Sequence, residues 1–292
     1  MRTLGIILAA GRSSRLFPAT LVTTKQVLPI YDKPLIYYPL STLMLAGVRE
    51  FLIICNPKEK PIFQELFYDA ENTLGIQITF AVQEYPAGIA DAFNIVNELA
   101  LPAYARYALV LGDNIFYGAG MSELLYEAND VGDYAYCFVT KVHDPERFGV
   151  AEIDQVNRVL SLEEKPSEPK SDLAVTGLYF FPPDVLDRIR NLQPSARGEL
   201  EITDLLKTYM GKNLIGVRLW RGVVWFDTGT PDSMIEASNF VQTIQKHQEV
   251  LVGSPHEIAY NKHWINTHEL KTTSLLCGKS AYGKLLDELV DD

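Results

Sequence analysis

Cysteine is scarce in this chain of 292 residues: Cys55, Cys137 and Cys277 are the three present, an odd number with no close pair. That excludes a disulfide framework and points to a reducing compartment. Cys55 and Cys137 sit in apolar runs and read as buried thiols. Histidine is sparse too, and no His/Cys spacing matches a zinc site. The histidines after His256, His263 and His268, read as solvated helix surface. Any catalytic metal should therefore be held by oxygen. Positive charge is short as well, with 26 Lys and Arg against 37 Asp and Glu for a net charge of −11. An acidic chain without a basic stripe is a poor partner for nucleic acid or an anionic membrane, although a few placed cations still bind a small phosphate. No apolar stretch is long enough for a signal or a membrane span, which makes a cytoplasmic location the expectation. The Walker pattern and the Gly-x-Gly-x-x-Gly fingerprint are both missing, as are internal repeats.

What is present is a rhythm. Strand-like apolar runs at 3–9, 51–56, 76–83 and 107–111 alternate with helix-period segments at 35–46, 57–68 and 88–99. This βαβ alternation predicts an α/β fold, a predominantly parallel central sheet with helices on both faces. Ligands in such sheets sit at the carboxyl ends of the strands. From 133 the pattern changes to shorter strands at 134–142, 148–153, 159–163 and 173–181. A helix at 201–212 and strands at 214–218 and 223–227 follow, together reading as a mixed-sheet extension. Residues 231–292 are helical, most strongly at 233–248. The expected organisation is thus a catalytic domain over 1–230, split into parts 1–132 and 133–230, followed by C-terminal helices.

Four segments could carry chemistry. After the first strand the chain turns through Ala10-Gly11-Arg12-Ser13-Ser14-Arg15 and later reaches Lys25. Close-spaced backbone N–H groups with two fixed cations make a phosphate cradle, though a strand followed by a glycine turn is also an ordinary loop. Leu109–Leu111 leads into Gly112-Asp113-Asn114, a carboxylate at the ligand edge or a simple turn. Asp227, in Trp225-Phe226-Asp227-Thr228-Gly229, ends an apolar strand in the same way. Paired, Asp113 and Asp227 suit Mg²⁺, which takes one or two carboxylates plus phosphate oxygens. Glu163-Glu164-Lys165-Pro166 closes another strand and reads either as solvated surface or as a sugar-phosphate contact, with Gly177 following in the next strand. Gln83, followed by Gly88, could present its amide to a nucleobase edge.

Arg15-Leu16-Phe17-Pro18, Lys25-Gln26 and Leu28–Pro34 together resemble the signature of sugar-1-phosphate nucleotidyltransferases. Asp144-Pro145-Glu146-Arg147 and Arg197-Gly198-Glu199-Leu200-Glu201 extend the likeness over nearly the whole chain, toward the long bacterial glucose-1-phosphate thymidylyltransferases. The resemblance implies a Rossmann-like fold, Mg²⁺, a homotetramer, and transfer of a thymidylyl group from dTTP to glucose 1-phosphate, feeding dTDP-rhamnose and related deoxysugars. It implies that Gly11, Arg15 and Lys25 bind the triphosphate, Gln83 and Gly88 the base, and Asp113 and Asp227 the metal. Asn114, Gly149, Glu164, Lys165 and Val175 would line the sugar-phosphate site, with Arg15, Lys25 and Lys165 catalytic. A feedback site at a subunit interface would draw on Tyr117, Gly118, Arg221, Glu257 and Ile258.

One departure stands out. The family usually carries Gly-Gly-Ser-Gly-Thr where this chain has Ala10-Gly11-Arg12-Ser13-Ser14. A serine at position 13 costs about 1–2 kcal/mol against glycine if that position needs positive φ. Uridylyl or cytidylyl transfer on the same fold is the nearest alternative, and a non-catalytic nucleotide-sugar-binding module is the alternative from another class.

Overall fold

The structure, a computed structural model, describes residues 2–130, 132–211 and 213–291. The chain opens with β1 (Thr3–Ala9), then a small hairpin of β2 (Pro29–Ile30) and β3 (Lys33–Pro34), and α1 (Tyr37–Leu45). There follow β4 (Glu50–Cys55), α2 (Lys60–Leu66), α3 (Ala70–Leu74), β5 (Gln77–Val82), α4 (Ala92–Glu98) and β6 (Arg106–Leu111). β4 and β6 flank β1 and β5 flanks β4, all in parallel. Alternate residues of these strands face opposite sides, so both faces must be covered. Ile7, Ile53 and Val110 join one core with α1, while Ile6, Leu52, Ile54 and Leu109 join a second core with α4. This is the doubly wound arrangement that the alternation predicts.

The second half continues with β7 (Asn114–Gly118), α5 (Met121–Asn129), β8 (Ala135–Lys141), β9 (Gly149–Ile153), β10 (Val159–Glu164) and β11 (Leu173–Phe181). β11 runs antiparallel to β6 through Leu178–Phe181 and pairs β9 through Ala174 and Val175. Its register against β8 shifts between Val175 and Tyr179. That irregularity lets one strand serve two neighbours, and it extends the sheet to nine strands in the order β10-β9-β11-β6-β1-β4-β5, with β8 branching from β11. The expected mixed extension is therefore part of the same sheet as the parallel strands.

α6 (Val185–Arg188), α7 (Ile202–Lys207), β12 (Leu214–Arg218) and β13 (Val223–Asp227) complete this half. β12 joins the sheet beside β8, but β13 does not join it: it forms a two-stranded ribbon with β7. β7 follows β6 after a two-residue turn and is too short to register as a separate strand in the sequence pattern. The helix expected over 201–212 ends at Lys207, and its predicted last residue lies outside the described residues.

α8 (Pro231–Gln248), α9 (Pro255–Asn261), α10 (Thr267–Cys277) and α11 (Ala281–Asp291) close the chain. His263 and His268 are exposed, as expected, whereas His256 is buried at 6% exposure, with its Nδ1 against the Tyr282 hydroxyl at 2.8 Å beneath α11. Among the described residues, no helix is long and apolar enough to cross a membrane.

α8 starts where the Asp227 turn ends. Thr230 is its N-cap, accepting from the Ser233 N–H while Ser233 Oγ accepts from the Thr230 N–H. Removing this cap leaves orphan donors at the first turn. Thr230→Ala is expected to lower the unfolding free energy by about 1 kcal/mol in a denaturant titration; a value within error of the parent would remove the cap from the forces that fix this turn.

Candidate active site

The cradle after β1 is exposed at Gly11, Arg12 and Arg15 and turns through Ser13 in the left-handed region, at φ 49°. The serine thus pays the strain anticipated for that position, about 1–2 kcal/mol relative to glycine. Its carbonyl accepts from Thr20 Oγ1 at 3.0 Å, which braces the loop. Lys25 is buried at 6% exposure, held on a short 3₁₀ turn, with its ammonium paired to Asp113 Oδ2. Burial alone would raise the Asp113 carboxyl, but the Lys25 charge and hydrogen bonds from Lys25 and Asn114 outweigh it and hold Asp113 below its usual value.

The ribbon of β7 and β13 brings the second carboxylate alongside. Asp227 is opposite Asn114 in register, and Thr228 donates both its N–H and its hydroxyl to the Asp113 carbonyl, at 3.1 and 2.8 Å. Asp227 is pushed above the ordinary carboxyl range by burial first and by the Asp113 charge second, against Lys25, Arg15 and Arg147. A Cβ on Gly229 would lie 2.5 Å from Arg15 Nη2 and 3.3 Å from Asp227 Oδ1, so the guanidinium crosses over bare glycine beside the carboxylate.

Two close carboxylates, one held low by Lys25 and the other raised by burial and by its neighbour's charge, are a poor pair when empty and a good one around a hard divalent cation. Among the described residues no cluster of three or more His, Cys, Asp or Glu could hold a metal. Two carboxylates still fit a cation that completes its shell with water and substrate phosphates. The residues present therefore suit a divalent metal.

Asn114 is buried at 2% exposure and its amide is engaged inward. Nδ2 donates to Asp113 Oδ1 at 3.0 Å, and Oδ1 accepts from the Gly177 N–H at 3.2 Å and Trp225 Nε1 at 2.5 Å. Asn114 thus ties the carboxylate to β11 and β13. Gly177 is needed here, since a Cβ would lie 2.8 Å from Asn114 Oδ1.

Beyond it lies the second group of predicted residues. Gly149 faces Val175 across the β9–β11 register, and a Cβ on Gly149 would lie 2.8 Å from Thr203 Cγ2 and 3.5 Å from Glu164 Oε2. Glu164 accepts from Thr203 Oγ1 at 3.2 Å and from Arg197 Nη2 at 3.1 Å. Lys165 is exposed, 3.8 Å from Glu164, with φ 43° and its N–H bonded to the Phe148 carbonyl. A left-handed lysine immediately after a strand carries strain of the kind seen at functional positions. Gln83 is buried where β5 ends, and Gly88 has φ +105°. A Cβ on Gly88 would lie 2.3 Å from the Leu200 carbonyl, which locks this loop to the Arg197–Glu201 segment.

Tyr117, Gly118, Glu257 and Ile258 line a separate cavity of about 360 Å³ between β7, α1 and α9, together with Leu45 and Lys262. Arg221 does not line it and is exposed at the turn before β13. Arg147, Arg197, Thr203, Trp225 and Thr228 are site residues to which sequence reasoning gave no role. The two arginines lay inside segments quoted for the family likeness, and that was the only signal available for them.

Residues 4–244 match the family described as nucleotidyl transferase. A glucose-1-phosphate thymidylyltransferase of Neisseria gonorrhoeae is 46% identical over 98% of this chain and 99% of its own length. One from Mycolicibacterium smegmatis is 44% identical over 98% and 99%. Among solved structures, a glucose-1-phosphate thymidylyltransferase from Bacillus anthracis, in complex with a sucrose, aligns with TM-score 0.75 at 33% identity, over 87% of this chain and 99% of that one. The chain belongs to the nucleotidyl transferase family and is an enzyme of that class. Within the class, its full-length relatives are glucose-1-phosphate thymidylyltransferases. Members of this family generally use a divalent metal.

The separate cavity has its own titration. Burial lifts the Glu257 carboxyl from 4.5 to about 7, against the pull of Lys33, while burial depresses the neighbouring His256 from 6.5 to about 4. A raised acid binds its proton more tightly when folded, so its contribution is full below pH 4.5 and lost as pH rises through 7. The depressed histidine works oppositely, losing stability as pH falls from 6.5 toward 4. Glu257→Gln removes only the first slope. Relative to the parent, the variant should gain on the order of 2–3 kcal/mol between pH 5 and pH 8 in denaturant titrations. A pH-independent difference would contradict the burial of Glu257.

Proposed function

We propose that this enzyme transfers a thymidylyl group from dTTP to α-D-glucose 1-phosphate, giving dTDP-glucose and pyrophosphate. The observation that carries this reading is the Asp113–Asp227 pair framed by Lys25 and Arg15 at the strand ends. Near-full-length relatives named for this activity support it. The attacking oxygen of a sugar 1-phosphate is already an anion, so no general base is required. The protein's task is to bring two anions together and stabilise the charge of in-line displacement at the α-phosphorus.

Arg15 and Lys25, with the backbone N–H groups around Gly11, hold the triphosphate and neutralise departing pyrophosphate. Lys165 steers the sugar phosphate, and Glu164 accepts from sugar hydroxyls. Asn114 holds Asp113 in place from behind, while Gly149 and Val175 leave a flat wall for the sugar. Asp113 and Asp227 hold Mg²⁺, which when bound supplies positive charge to the nucleotide phosphates. Gln83 reads the pyrimidine and Gly88 leaves room for its ring.

In this reading residues 1–132 carry the nucleotide and 133–230 the sugar phosphate. The helices of 231–292 make subunit contacts in a cytoplasmic homotetramer. The cavity beside Tyr117, Gly118, Glu257 and Ile258 serves feedback by a nucleotide-sugar end product, with Arg221 reaching it only through rearrangement or a neighbouring subunit.

Lys25→Ala and Asp113→Asn should each lower kcat with dTTP, glucose 1-phosphate and Mg²⁺ by about 10²–10³ in a pyrophosphate-release assay. EDTA should abolish release from the parent enzyme. Near-normal turnover in either variant would remove that residue from its role. Base choice should be less strict, because thymine and uracil share the same hydrogen-bonding edge. The thymine methyl is worth about 0.8 kcal/mol when buried, so UTP should be used measurably, with kcat/KM favouring dTTP. Complete rejection of UTP would show that selection rests on more than the methyl.

A further inference from the structure

The orientation of the Gln83 amide is set by the two acceptors beside it. Gln83 Nε2 lies 2.9 Å from Asp91 Oδ2 and 3.4 Å from the Gly88 carbonyl. Both neighbours are acceptors, so the amide end turned to them must be the NH₂ group. The reverse orientation would set the amide oxygen against a carboxylate and a carbonyl. Asp91 is itself anchored, accepting from Asn94 Nδ2 through its other oxygen at 3.1 Å at the start of α4. The Gln83 backbone is fixed as well, its N–H donating to the Cys55 carbonyl at 3.0 Å.

We propose that Asp91 is a positioning residue for base selection. It pins the Gln83 amide so that Oε1 is the acceptor offered to the pyrimidine edge. An acceptor at that point suits the N3–H of thymine or uracil and opposes the N3 lone pair of cytosine. Asp91 thus separates imide bases from cytosine and leaves thymine and uracil undistinguished. This inference rests on the assignment of Gln83 to the base.

Asp91→Asn tests it, because an asparagine whose oxygen stays with Asn94 Nδ2 turns its own NH₂ to Gln83 and favours the flipped amide, opposed only by the more distant Gly88 carbonyl. The Asn94 contact is kept, and the helix start does not depend on the change, since the Asp91 side chain caps no backbone N–H. Steady-state kinetics with dTTP, UTP and dCTP, each with glucose 1-phosphate and Mg²⁺, are measured for the parent, Asp91→Asn, Asp91→Ala and Gln83→Ala. In Asp91→Asn the dTTP-to-dCTP ratio of kcat/KM should fall at least tenfold, with the dTTP-to-UTP ratio unchanged. Asp91→Ala, which removes the bias without reversing it, should move the same ratio in the same direction by less. An equal loss for all three nucleotides in both Asp91 variants would mark a structural residue and overturn the proposal. If Gln83→Ala also leaves the dTTP-to-dCTP ratio unchanged, the base does not meet Gln83, and the reading beneath the proposal fails with it. If Gln83→Ala lowers the ratio while both Asp91 variants preserve it, only the role of Asp91 is overturned.

Discussion

The arrangement depends on like charges held together. Asp113 and Asp227 repel each other, and the fold keeps them adjacent by pairing β7 with β13 and bonding Thr228 to the Asp113 carbonyl. Lys25 takes up part of the charge from below and Arg15 from the solvent side. With one carboxyl held low and its neighbour pushed high, the cluster has a stored demand for positive charge. Lower-dielectric surroundings sharpen that demand. A buried pair of this kind contributes little to stability by itself; it is intelligible as a preorganised seat for a cation and a polyphosphate.

The same economy runs outward. Asn114 uses its one amide to join Asp113, Gly177 and Trp225, so β7, β11 and β13 share a single buried hub. Gly88 meets Leu200 closely enough to exclude any side chain, which binds the loop after β5 to the segment that carries Arg197 and Glu201. The far end of β7 reaches the second cavity at Phe116, Tyr117 and Gly118, while its near end carries Asn114. One short strand therefore touches both the candidate active site and this second cavity.

Much of this was legible from residue order. Long parallel strands buried on both faces leave continuous apolar runs, so β1, β4, β5 and β6 could be placed to within a residue or two. Asp113 and Asp227 drew attention because each closes an apolar stretch, although β13 is a short half-buried ribbon strand and not one of the parallel strands. β7 was hidden, since five residues between a turn and a glycine give no period to count, and with it went the ribbon that pairs the two aspartates. The burial of His256 was not foreseen, because its environment comes from α11, some 25 residues further on, which no local pattern encodes. Arg197 bonds Glu164 and Arg147 lends its charge to Asp227 only through proximity made in three dimensions. Ser13 is the opposite case, in which an odd residue in a glycine-rich position correctly signalled a strained backbone.

The central claim is that Asp113 and Asp227 jointly seat the cation that accompanies the nucleotide. A crystal grown with dTTP and Mn²⁺ in place of Mg²⁺, measured for anomalous scattering, tests this directly. The account predicts a peak bridging the two carboxylates and the nucleotide phosphates, with Lys25 and Arg15 against those phosphates. A peak elsewhere, or an ordered triphosphate with no metal between these aspartates, would contradict it.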